Sequence, residues 1–365
     1  MTLPTALPEL ANRWIRKYFS DPEAIILGLL LILGLSIVVF FGETLAPLIA
    51  SIIIAYLLES PIKKLENLGC PRKLALYLVF LPFLLLLGLV FFGLIPILVA
   101  QSTNLMQELP KMLAKGQEQL LQLPELYPQL INEQQATQLL SSITQSLTGV
   151  GKNILSFSLA SVSTLFSILI FLVLVPVLVF FMLKDKHHLL ASLDRFMPRE
   201  RKLSMQVWRE MDNQIGNYIR GKFAEICIVG IASFIVFGML GLQYAALLAF
   251  IVGLSVIIPY IGATAVTLPV AIVGFFQWGW HSDYAWLMGA YLILQILDGN
   301  VLVPWLFSEA VNLHPVAIIT AILIFGGIWG FWGVFFAIPL ATLVKAVITS
   351  WPKNLDEVAS TPSKL

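Results

Sequence analysis

No lysine or arginine occurs between Lys222 and Lys345. The same stretch holds four carboxylates, Glu225, Asp283, Asp298 and Glu309. A soluble domain is about a quarter charged and mixes both signs over its surface. This chain is 12% charged and 58% hydrophobic, with a mean hydropathy of +0.88. Its solvent is therefore lipid for most of its length. In lipid every backbone polar group must be paired within the segment, which leaves helices or closed barrels. The apolar runs are continuous rather than alternating, so the expected class is all-α, a polytopic membrane protein partnered by the bilayer.

Charge segregation sets the expected topology, because cationic segments stay cytoplasmic. Arg13, Arg16 and Lys17 precede a first apolar run, Ala24–Phe41. Pro22 behind Asp21 suits a helix start. A second run, Thr44–Leu58, follows at once and is succeeded by Lys63, Lys64, Arg72 and Lys73. Two basic clusters on one side require two crossings, with a turn near Gly42; a re-entrant second segment is the other reading. Residues 1–100 thus form N-terminal membrane helices. Residues 101–153 hold ten glutamines and no arginine, with leucines at helical spacing. They are expected as a small extracytoplasmic helical insertion, either a packing contact or a lid. Residues 154–183 make a further span. Residues 184–222 carry nine Lys/Arg against five Asp/Glu. Leu203, Val207, Met211, Ile215 and Ile219 recur there every four residues, giving a basic amphipathic cytoplasmic helix. Residues 223–350 form a C-terminal core of full and half spans, and 351–365 a cytoplasmic tail. The total is about eight transmembrane helices, including broken or re-entrant segments, with both termini cytoplasmic in a bacterial inner membrane.

Two interruptions stand out in the cation-free core, "IPYIGA" (258–263) and "LDGNVLVP" (297–304). Broken helices at membrane depth expose backbone groups that bind ions and solutes. A carboxylate there is tolerated when protonated, hydrated or bound to a cation. The candidate substrate- or ion-binding set is Asp298, Gly299, Asn300, Pro259, Tyr260, Gly262, Glu225 and Glu309. Each has a plainer reading. "DGN" is ordinary turn chemistry, and Tyr260 suits an aromatic belt. Glu225 can pair with Lys222 at a helix start. Asp283 fits a helix cap, and His314 before Pro315 is either structural or a proton relay. Cys70 and Cys227 form no metal motif, and no cofactor or metal site is readable. No ATP-binding motif and no HExxH, GxSxG or GxGD is present, so an enzyme is not expected. A net charge of +1 gives no reason to expect nucleic acid.

"IPYIGA" (258–263), "DGNVLVP" (298–304), "LHP" (313–315) and "GFWGVFFAIPLATLVK" (330–345), together with "YIRGK" (218–222), resemble the AI-2E family of bacterial membrane proteins, the autoinducer-2 exporter family. The resemblance covers roughly residues 20–350. It implies an eight-helix transporter, a homo-oligomer (pentamers are known in the family) and an elevator-like motion. It also implies export of a small polar solute such as autoinducer-2, or sodium or lithium–proton antiport. Ser308 stands where the family is expected to carry glycine, and Glu309 beside it is unusual. The expected function is a secondary transporter, proton- or sodium-coupled; a non-transporting membrane scaffold is the alternative from another class.

Overall fold

A computed structural model of the chain describes residues 22–126, 162–196, 202–259, 261–307 and 313–350. These residues are helical with short connections, and no strand occurs among them. Six helical stretches are long and apolar enough to cross a membrane, and three shorter apolar helices accompany them. The chain is an all-α polytopic membrane protein.

Helix α1 runs Pro22–Asn67, 46 residues without interruption. At 1.5 Å per residue it is about 69 Å long. This corrects the expected turn near Gly42. Gly42 is buried inside the helix, where the indole of Trp329 lies against its Cα. The missing side chain makes room for a neighbour and does not bend the chain. Ser51, Ala55, Glu59 and Ile62 form the buried stripe of α1, at helical spacing.

Helix α2 is Arg72–Leu89. A π-helical turn, Val90–Leu94, leads into α3, Ile95–Leu126. The first part of the polar insertion is thus a direct continuation of a spanning helix; residues 127–153 lie outside the described residues. Helices α4 (Val162–Lys184), α5 (Lys186–Phe196) and α6 (Lys202–Met239) follow. Helix α6 carries straight on from the basic segment into the apolar one, so residues 222 and 223 lie within one continuous helix. Of the amphipathic stripe, Ile219 is buried and Ile215 half-buried.

Helices α7 (Ala245–Ser255) and α8 (Ile261–Trp278) flank the "IPYIGA" interruption, which is a true break in the helix. Helix α9 (Ser282–Leu297) reaches "DGN", and here the expectation of a break fails. Asp298–Leu302 is a π-helical turn, and α10 (Val303–Phe307) continues from it. One extra residue per turn is absorbed without breaking the helix. Helix α11 (Pro315–Phe335) starts with His314 as its N-cap, whose Nδ1 accepts from the Val316 N–H at 3.3 Å. Its "GGIWGFWG" stretch is interrupted at Gly330, where φ 58° and ψ −133° require a glycine. Helix α12 is Ala337–Ser350. His281, not Asp283, is the N-cap of α9; Asp283 sits in its first turn, 3.2 Å from His281 Nδ1.

The chain sorts into two compact units. The first takes residues 1–64, 179–224 and 302–365; the second takes 65–178 and 225–301.

Candidate functional site

The first unit gathers charges that sequence spacing does not pair. Glu59, 8% exposed, meets Lys186 Nζ at 2.8 Å. The Tyr56 hydroxyl donates to the Asp212 carbonyl at 3.0 Å and lies 3.3 Å from its Oδ1. Gly216, one turn on from Asp212, has no side chain because the Tyr56 ring occupies that place. Arg220 covers the Tyr56 ring at 5.6 Å and donates to Asn217 Oδ1 at 2.8 Å. Lys222, 3% exposed, lies over the Phe307 ring at 5.1 Å. Tyr218 donates to the Phe335 carbonyl at 3.1 Å. The "YIRGK" segment is thus a set of side chains anchoring α6 to α1, α10 and α11.

The second unit is built differently. Residues 225–301 are without lysine or arginine, and their helices meet through glycine. A Cβ on Gly253 would lie 3.0 Å from both Gly230 Cα and the Ile226 carbonyl, so α6 and α7 touch backbone to backbone. Gly262 is buried, and a Cβ there would collide with the Ser255 carbonyl. That contact folds the α7–α8 break tightly. Its N–H groups are used internally: Ile257 donates to Leu254, Ile258 to Ser255, Ile261 to Pro259 and Gly262 to Ile258. The start of α8 therefore offers an anion few free donors.

Between α8 and α9, Leu287 packs on Gly274. The Tyr291 hydroxyl lies 3.4 Å from both the Ala263 carbonyl and Thr267 Oγ1, and its ring is 6.2 Å from Phe237 of α6. These contacts fix heights along the bundle. From Tyr291 to Asp298 is seven residues, about 10 Å of helix; from Thr267 back to Ile261 is about 9 Å. Asp298 and the 256–261 break thus stand at the same end of the unit. Glu225 belongs to that end too, since the carbonyl of Ile226 meets Gly253, just before the break.

Glu225 is 2% exposed. It sits deep within α6 rather than at a helix start, three residues on from the equally buried Lys222. Asp298 is half-buried with a buried Oδ1, while Gly299 and Asn300 are exposed. The Asn300 amide donates to the Ile296 carbonyl of its own helix at 2.9 Å. Pro259 is half-buried in the break. Tyr260 and Glu309 lie outside the described residues. Among the described residues no group of three or more His, Cys, Asp or Glu could hold a metal ion.

At the opposite end the α6–α7 loop is clamped. The Gln277 side chain accepts from the Gln243 N–H and donates to the Gly241 carbonyl, both at 2.8 Å. Gln101 of α3 accepts from Leu247 N–H at 2.8 Å, capping α7 from outside. Tyr244 adopts φ 59°, an uncommon conformation for a bulky residue, and donates to Glu108 at 2.7 Å. Burial, then the Glu108 hydrogen bond and charge, push the Tyr244 phenol up to about 12.

Sequence reasoning missed Ser233, fully buried on α6. Glu225, Val229, Ser233 and Phe237 are all buried at four-residue spacing. That periodicity was legible, but within an all-apolar run it carried no contrast.

A bundle of membrane-length apolar helices with an interrupted helix and a carboxylate buried in it fits the construction of a membrane transporter. The model for "AI-2E family transporter" matches residues 27–353, and the chain belongs to that family. It is 48% identical over 344 residues to "Putative permease PerM" of Escherichia coli (strain K12), covering 94% of this chain and 98% of that protein. It is 28% identical to "Putative transport protein YueF" of Bacillus subtilis (strain 168), over 85% of this chain and 84% of that one. A "Putative transport protein" of Thermotoga maritima is 24% identical over 93% of this chain and 97% of its own length.

Proposed function

We propose that the protein is an ion-coupled secondary transporter, working as an exporter of a small polar solute such as autoinducer-2, with Glu225 as the coupling carboxylate. The observation that carries this reading is the burial of Glu225, 2% exposed, close to the α7–α8 break through the contact of Ile226 with Gly253. A buried carboxylate that takes up and releases a proton or a cation couples a gradient to movement. The internal use of the N–H groups around the break favours a neutral or cationic cargo over an anion. Asp298, at the same end of the unit, is the second candidate carboxylate, with Gly299 and Asn300 beside it and Pro259, Tyr260 and Gly262 in the break. Glu309 is retained in the proposed set from its sequence position alone.

Sodium or lithium–proton antiport is the second reading, and the same buried carboxylate supports it. The transporter is proposed to sit in the bacterial inner membrane as a homo-oligomer, with the basic segments 61–73 and 184–222 cytoplasmic.

The test is counterflow in liposomes under imposed proton and sodium gradients. Glu225→Gln preserves size and removes the titratable charge. It should fold and insert normally, while gradient-driven flux falls to the protein-free background. Unaltered gradient-driven flux in folded Glu225→Gln protein would overturn the assignment.

A further inference from the structure

Serine and threonine inside helices commonly bond back to the carbonyl four residues earlier. Ser51, Ser102, Thr267 and Thr320 all do so here, at 2.6–2.8 Å. Ser233 does not. Its side chain is fully buried, and its Oγ has no hydrogen-bond partner among the described residues. Native interiors rarely leave a buried hydroxyl in this state, and each such group calls for an explanation.

Its surroundings supply one. Ser233 shares a buried face of α6 with Glu225 on one side and Phe237 on the other. Phe237 packs on Tyr291, whose hydroxyl reaches the Ala263 carbonyl and Thr267 only at 3.4 Å. One turn before Ser233, α6 meets α7 through Gly230 and Gly253, backbone against backbone. Buried polar groups therefore lie next to a glycine-to-glycine helix contact in an otherwise apolar bundle.

We infer that Ser233 lines a water-accessible path through the second unit, shut in this conformation. When the path opens, its hydroxyl bonds an uncharged hydrogen-bonding group, either on the transported solute or on water that accompanies it. Ser233, Tyr291 and Thr267 each offer a hydroxyl, which recognises hydrogen-bonding shape rather than charge. This inference rests on the transporter reading but not on Glu225 being the coupling residue.

The experiment needs no knowledge of the solute. In a background with Cys70→Ser and Cys227→Ala, Ser233→Cys is exposed in native membrane vesicles to a charged, water-soluble methanethiosulfonate reagent. Ser282→Cys, at an exposed connection, is the accessible control. Ile231→Cys, on an exposed apolar part of α6, is the lipid-facing control. Access governs thiol modification, so Ser233→Cys should react at least about tenfold faster than Ile231→Cys. Reaction no faster than Ile231→Cys, with full reaction after denaturation, would overturn the inference. If Ser233→Cys does not accumulate, Ser233→Thr and Ser233→Ala are compared in solute counterflow. Flux retained by threonine and lost with alanine supports the inference, and equal flux overturns it. Rapid labelling together with a silent Glu225→Gln would leave the path standing and remove only the coupling assignment. Gradient-driven flux without labelling would do the reverse.

Discussion

The two units solve the problem of burying polar groups in opposite ways. The first matches charge with charge or with an aromatic face: Glu59 with Lys186, Arg220 over Tyr56, Lys222 over Phe307. Residues 225–301 of the second have no cation to offer. They pack through glycine and keep a carboxylate and hydroxyls inside. A paired charge resists rearrangement, because separating it leaves a buried ion uncompensated. A glycine contact between smooth helices has no such penalty. The packing of the first unit is therefore the more resistant to rearrangement within itself.

The comparison is broken most severely at Gly262. Gly262→Ala places a Cβ against the Ser255 carbonyl, which is backbone and cannot rotate away. Overpacking of this kind costs on the order of 3 kcal/mol, and more where backbone must move. Loss of monodisperse protein on size-exclusion chromatography is expected, with near-normal behaviour as the contrary result.

In the first unit, Lys186→Met removes the partner of Glu59. Lys186 is 29% exposed at its side chain, so solvent softens the loss to about 1–2 kcal/mol. Glu59→Gln combined with Lys186→Met should regain most of it, because the orphaned charge is gone. Thermal unfolding in detergent measures both; a double variant as unstable as the sum of the singles would deny the coupling.

Tyr244→Phe removes a charge-assisted hydrogen bond at the clamped loop, worth about 1–2 kcal/mol. The phenol is raised from its ordinary 10 to about 12. Its contribution is therefore complete below pH 10 and disappears as pH rises through about 12. Wild type and Tyr244→Phe should converge in stability across that window, and a constant gap would contradict the Glu108 bond.

The smallest effect is expected at Asn300. Its amide bonds its own helix at an exposed position, so Asn300→Ala should shift stability by less than about 0.5 kcal/mol. A marked loss of transport in this variant would restore "DGN" as a ligand site.

The lipid solvent, the all-helical class and the breaks at "IPYIGA" and near Gly330 were legible in the sequence. Each depends on short-range chemistry: apolar run length, proline without an N–H, glycine free to take positive φ. Tertiary structure decided the remainder. Gly42 reads as a turn until Trp329, far along the chain, is found against it. "DGN" reads as a break until Asn300 is seen bonding back to Ile296 within a π-helical turn. Glu225 reads as lying at a helix start until α6 is seen to run from Lys202 to Met239 with Glu225 buried within it. Ser233 carries no signal at all among its apolar neighbours. Backbone preference is set by adjacent residues and survives in the sequence. Burial is set by whatever distant segment packs alongside, and that becomes visible only in the folded chain.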